Sequence, residues 1–125
     1  MLYALLCYHD EDVVNAWTEQ EDDAVLARRA HVTDPLAVRG RMGPAARLMS
    51  TAAAVTVRSG TEPIVIDGPF AETKEQLLGF YVIECATLDE AVQVARDLGQ
   101  GETGAFEIRP LRLFLPGTIP QREPQ

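Results

Sequence analysis

Short apolar runs alternate along the chain with charged and glycine-rich segments, and each change of pattern marks an element. Residues 2–8 are almost all apolar, and so short a run predicts a buried strand rather than a helix. The charged residues 9–12 that follow predict a loop. Later strands are predicted at residues 47–49, 55–58, 64–66, 79–85 and 105–109. The second and third of these form a hairpin, because Gly60 supplies a turn signal between them.

Two helices are predicted from capping boxes, in which a hydroxyl is followed three residues later by a glutamate. Thr18 with Glu21 opens the first helix, and Thr87 with Glu90 opens the second. We expect the first helix to end or kink near residue 34, because Pro35 disfavours a helical residue before it. The second helix carries an apolar stripe on one face, which is typical of a helix that packs on a sheet.

The order of these elements matches a split βαβ pair. The expected fold class is therefore α+β, a ferredoxin-like (βαββαβ) sandwich with an antiparallel sheet and two helices on one face. The other face of the sheet needs a cover, and a homodimer that buries about 1,600 Å² would supply one. Residues 1–115 form the predicted domain, with residues 68–78 as a polar loop and residues 32–49 as the least regular stretch. Residues 116–125, with three prolines, are expected to form a flexible tail.

Composition excludes several classes of function. The formal net charge of −8 over 125 residues argues against a nucleic-acid partner, and no run approaches the ~20 apolar residues of a membrane span. The first residues lack a basic segment of the signal-peptide kind, so the expected location is cytoplasmic. No nucleotide-binding or zinc motif occurs, and adjacent loop residues such as His9 and Asp10 rarely converge on one ion. We therefore expect no cofactor and no metal.

The two cysteines are expected to be buried thiols rather than a disulfide. Cys7 and Cys85 both lie inside apolar, strand-like runs, where a free cysteine behaves as a small apolar residue. In a ferredoxin-like sheet their strands are antiparallel neighbours. Both residues come late in their strands, so they lie at opposite ends and out of bonding reach.

A contiguous motif carries a family resemblance. Residues 67–75, DGPFAETKE, followed by GFY at residues 79–81, closely resemble the signature of the DGPF group within the YCII-related family. Weaker agreement covers most of the chain. The resemblance implies a ferredoxin-like fold that dimerises through its sheets into an α/β barrel. In the wider family a His–Asp pair has been proposed as an active site, and related folds occur among lactone isomerases and dehalogenases. Many members of the DGPF group are encoded beside extracytoplasmic-function sigma factors, which implies a regulatory or accessory setting.

Four residues are candidates for a site. His31 is suited to act as a general base near neutral pH; the alternative is a helix residue whose ring is hydrogen-bonded to a neighbour. Asp67 is suited to hold the imidazole of His31 in one tautomer; the alternative is an aspartate that forms a turn. Lys74 and Arg109 are candidates for binding an anion; the alternatives are a solvated loop and an ion pair with a glutamate. Phe70 is expected to fill the core beneath the motif loop.

Two functions of different kinds remain open. The first is a cofactor-free enzyme that transfers a proton on a small organic acid or lactone, with His31 as base or acid and Asp67 as its partner. The second is a non-catalytic module that holds a small effector or docks a sigma factor or an enzyme. The small ligand is expected to be anionic in the first case.

Overall fold

The computed structural model describes residues 1–120, and residues 121–125 of the expected tail 116–125 lie outside them. Within residues 1–120 the chain forms six strands and three α-helices. The elements in chain order are β1 (Leu2–Asp10), α1 (Glu11–Asn15), α2 (Glu19–Val38), β2 (Met42–Arg47), a 3₁₀ turn (Thr51–Ala53), β3 (Val55–Arg58), β4 (Ile64–Asp67), β5 (Glu75–Glu84), α3 (Leu88–Leu98) and β6 (Ala105–Pro110). This is the α+β class that the sequence predicts.

Four strands make one sheet in the order β2-β5-β1-β6, and every neighbouring pair is antiparallel. This order is consistent with the ferredoxin-like arrangement. Strands β3 and β4 form a separate two-stranded hairpin, which lies between β2 and β5 in the sequence. The hairpin closes at the pair Arg58 and Ile64, which confirms the turn predicted around Gly60.

The core lies between the sheet and the two longer helices. Strand β1 alternates strictly, and its odd-numbered residues are buried. Leu5, Ile83 and Leu98 are fully buried, and Val32 and Leu36 of α2 pack against the same cluster. Helices α2 and α3 therefore cover one face of the sheet, as expected.

Capping explains where the helices begin. Thr18 Oγ1 accepts from the Glu21 N–H at 3.0 Å, and the Glu21 carboxylate accepts from the Thr18 N–H at 3.2 Å. This is the reciprocal pair that the sequence predicts. Thr87 caps α3 by accepting from the Glu90 N–H at 3.2 Å, but the Glu90 carboxylate accepts from the Ala86 N–H at 2.8 Å rather than from that of Thr87.

Four boundaries differ from the prediction. Residues 9–12, predicted as a loop, form the end of β1 and the start of α1. Helix α2 does not end at residue 34 but continues through Pro35 to Val38, and the N–H groups of residues 39–41 then cap its last carbonyls. Strand β2 covers Met42–Arg47 rather than residues 47–49. The predicted polar loop 68–78 is too long, because β5 begins at Glu75.

The cysteines lie where the prediction places them. Cys7 pairs with Gly79 in the middle of β5, whereas Cys85 lies just beyond the end of β5 and its N–H donates to the Met1 carbonyl. Both thiols are buried and free, and burial raises the pKa of Cys85. No helix within residues 1–120 is both long and apolar enough to cross a bilayer.

Candidate ligand-binding cleft

A cleft of about 220 Å³ opens between the first half of α2, the short helix α1 and the helix-covered face of the sheet. Its floor comes from strands β1, β2 and β5. Its walls are mainly apolar and include the indole of Trp17. The lining side chains most relevant to chemistry are His9, Trp17, Asp22, Arg29, Arg47 and Tyr81.

The residue pattern of α2 explains why this space stays open. One face of the helix presents Asp22, Val25 and Arg29 to the cleft and then Val32 and Leu36 to the core. These positions follow the three-to-four-residue repeat of one helix face. Charged groups cannot fill an apolar core without partners, so α2 packs closely only along its second half.

His9 lies at one end of the cleft floor. Its position in a strand shows that the loop predicted for residues 9–12 is wrong. It belongs to β1 and is 3% exposed. Its Nε2 is 3.1 Å from the hydroxyl of Thr103, and its Nδ1 is 3.3 Å from the Asp10 carbonyl oxygen. The ring also meets Trp17 edge to face, with centroids 5.8 Å apart. The Asp10 carbonyl oxygen can only accept, so Nδ1 is the donor in that contact, whereas the Thr103 hydroxyl can donate to Nε2 or accept from it.

Arg29 closes the back of the cleft and is held firmly. Its Nε and Nη2 donate to the Glu102 carboxylate at 3.0 and 2.6 Å, and its Nη1 lies 3.4 Å from the Tyr81 hydroxyl. The guanidinium also stacks 5.4 Å from the centroid of Phe106. Arg28 donates to the same carboxylate. Since the Glu102 side chain is only 6% exposed, this cluster fixes α2 to the segment before β6.

A second ion pair stands at the mouth of the cleft. Arg47 of β2 donates from Nη1 and Nη2 to the two carboxylate oxygens of Asp22, at 3.0 and 2.7 Å. These hydrogen bonds lower the pKa of Asp22, and burial opposes them only in part. The pair joins the edge strand of the sheet to the first turn of α2.

The motif of residues 67–75, which carries the family resemblance, lies outside the ligand-binding cleft. Gly68 has φ +110 and exchanges hydrogen bonds with Ala54 and Thr56, so a residue with a side chain would be strained there. Phe70 does not fill the core, contrary to expectation. It is 77% exposed and lies under the Arg58 guanidinium, 5.3 Å from its ring centroid.

The four sequence-predicted site residues are dispersed. His31 is exposed on α2, because two residues beyond Arg29 lie on the opposite side of a helix. Asp67 is exposed at the end of β4, and no hydrogen bond among residues 1–120 joins it to His31. Lys74 lines a separate polar cleft beside Asp10 and Glu72. The roles of His31 and Asp67 stay predictions.

Arg109 contacts a glutamate of its own strand, and its predicted role in binding an anion stays a prediction. Its side chain is 69% exposed and its Nε lies 3.4 Å from the Glu107 carboxylate. It is on the face of the sheet opposite the helices, since Phe106 and Ile108 pack into the core. Arg109 therefore does not line the ligand-binding cleft.

Sequence reasoning missed His9, Arg29 and Arg47. For His9 the alternation that places it in β1 appears only in the burial pattern, because residues 2–8 are apolar at odd and even positions alike. For the two arginines there was no signal, since their partners Glu102 and Asp22 lie 73 and 25 residues away.

Comparison with known proteins gives a consistent family. The model of the YCII-related domain matches residues 1–115. An uncharacterised protein of Rhizobium meliloti (strain 1021) is 54% identical over 123 residues, which cover 96% of this chain and 99% of that protein. The chain belongs to the YCII-related domain family.

Proposed function

We propose that this protein binds one small, mainly apolar organic molecule in the cleft beneath the first half of α2. The observation that carries the proposal is an apolar cavity of about 220 Å³ with Trp17 in its wall and an ion pair at its mouth. Ligand sites in proteins are typically apolar clefts with a few placed polar groups. The polar groups here are His9, Tyr81 and Arg47.

The size of the cavity limits the ligand. An apolar protein cavity of about 150 Å³ accommodates benzene, whereas sites for drug-sized molecules begin near ~300 Å³. A volume of about 220 Å³ therefore suits a molecule of one ring with one small polar substituent, or an aliphatic chain of similar bulk.

Trp17 provides the assay. It is the single tryptophan of the chain and lines the cleft, so its fluorescence reports on this site alone. We expect saturable changes on titration with single-ring carboxylates. Ala45→Phe places a ring in the cleft that Ala45 lines and should abolish the change, whereas Ala53→Phe, in the 3₁₀ turn outside the cleft, should leave it intact. Equal binding by the two variants would contradict the proposal.

Proton transfer on the bound molecule is a second candidate function, favoured by the buried imidazole of His9 in the cleft. The family resemblance assigns the base to His31 with Asp67 instead. The two alternatives are distinguished by the rate of deuterium exchange at the enolisable C–H of phenylpyruvate, which NMR measures. Loss of catalysed exchange in His9→Gln supports the cleft histidine. Loss in His31→Ala and Asp67→Asn supports the dyad, and no catalysed exchange in the unmodified protein rejects both.

We also propose that the protein is a homodimer. The hairpin β3–β4 exposes Val55, Val57, Ile64, Val65 and Ile66, each more than half. By the register of the hairpin, Val55, Val57 and Val65 share one face, and Ile64 and Ile66 share the other. A two-stranded hairpin is only marginally stable without a partner surface, and exposed apolar side chains on both of its faces favour an interface. Light scattering should give twice the 13.7 kDa of one chain; a monomer at micromolar concentration contradicts the proposal. Association with a sigma factor is the alternative that the resemblance implies.

A further inference from the structure

Arg47 is the cation of the cleft that is least committed to other contacts. Its side chain is 50% exposed, and it pairs with Asp22, whose side chain is 28% exposed. Arg29, by contrast, is 15% exposed and is bonded to a carboxylate that is almost fully buried. An anion that enters the cleft therefore meets one arginine whose partner can turn into water.

Exchange of that partner for a ligand carboxylate is energetically easy. Exposed ion pairs contribute little, because water and salt screen them. A ligand carboxylate offers Arg47 the same two-point geometry as Asp22, and it adds the burial of its apolar body against Trp17 and Val25. The ligand thus retains the ionic contact and gains the hydrophobic one.

The released aspartate has a favourable position. Asp22 lies in the first turn of α2, a helix of 20 residues. The N-terminus of a helix stabilises negative charge through the aligned peptide dipoles. Asp22 can therefore remain ionised in water once Arg47 has turned to the ligand.

We propose that the ligand is a monocarboxylate with a body of about one ring, and that its carboxylate replaces Asp22 on Arg47. Asp22 then acts as a built-in competitor that occupies the anion receptor while the cleft is free. This inference rests on the proposed function, and it adds the class of ligand and the residues that select it.

The test measures the affinity of the protein for benzoate and for its neutral counterpart benzamide, by titration followed through Trp17 fluorescence. Wild-type protein should prefer benzoate. Asp22→Asn removes the competitor and should tighten benzoate binding about two- to fivefold, the range of one exposed ion pair. Arg47→Met should weaken benzoate binding about tenfold or more, as expected for a lost charged hydrogen bond, and should leave benzamide unaffected. Glu107→Gln makes the same change in net charge beside Arg109 and should not alter either affinity.

The outcomes separate the two proposals. Benzoate and benzamide binding with equal affinity to wild-type and Arg47→Met protein would overturn the role of Arg47 while leaving the cleft as the site. Unchanged benzoate affinity in Asp22→Asn would overturn the competitor. Tighter binding in Glu107→Gln would identify Arg109 as the receptor instead. No response of Trp17 to either compound in any variant would overturn the proposed function itself.

Discussion

Replacement of Glu102 by glutamine should destabilise the protein strongly, because one buried carboxylate neutralises two arginines. The Glu102 side chain is 6% exposed, and Arg29 and Arg28 are 15% and 32% exposed. In Glu102→Gln the positive charge of Arg29 stays between helix and sheet without a counter-charge. Burial of an unpaired charge is costly, since water no longer solvates it.

The magnitude follows from the exposure of the partners. Removing one member of a buried ion pair costs roughly 3–5 kcal/mol, and the more exposed Arg28 can recover part of this in water. We therefore expect the free energy of unfolding to fall by about 3 kcal/mol. For a domain of this size that corresponds to a fall of roughly 10 °C in Tm.

Urea denaturation followed by circular dichroism measures the effect. The midpoint should move down by about 1.5–2 M with an unchanged slope. Glu107→Gln is the matched control, since it breaks the exposed pair with Arg109 and should cost less than about 0.5 kcal/mol. A cost below that same limit for Glu102→Gln would show that Arg29 does not depend on this carboxylate as its counter-charge. The double variant with Arg29→Met should recover part of the loss, because it removes the orphaned charge.

Three further predictions follow from other contacts. Gly104→Ala should destabilise the protein by more than about 2 kcal/mol in thermal unfolding, since at φ +94 its Cβ would lie 2.8 Å from the ring of His9; a smaller loss would contradict this packing. The lowered pKa of Asp22 implies stability that is present above its ordinary value of 3.8 and is lost as pH falls through the lowered value. Asp22→Asn should therefore flatten acid unfolding in that range, and an unchanged acid profile would contradict the pair with Arg47. Cys85, buried and with a raised pKa, should react with a thiol reagent only upon unfolding, and rapid labelling of the native protein would contradict its burial.

Much of the fold is local information and could be read from the sequence. The boxes at Thr18 and Thr87 mark helix starts because a hydroxyl and a glutamate satisfy free N–H groups within one turn. The hairpin around Gly60 is equally local. The helix end near Pro35 could not be read, because the tertiary contact of Leu36 with the core outweighs one lost hydrogen bond.

The candidate site was less accessible to sequence reasoning. Residues 2–8 are apolar on both faces of β1, which hides the alternation that would have placed His9 in the strand. Arg47 and Asp22 meet only because β2 pairs at the sheet edge beside α2. The resemblance rests instead on the contiguous motif at residues 67–75, whose Phe70 lies on the surface.

The most direct test of the central claim is a crystal structure of the protein grown with benzoate. We expect electron density for the ring beside Trp17, with the carboxylate on Arg47 and Asp22 turned to solvent. Benzoate bound at Lys74 or Arg109, with the cleft beneath α2 unoccupied, would contradict the claim.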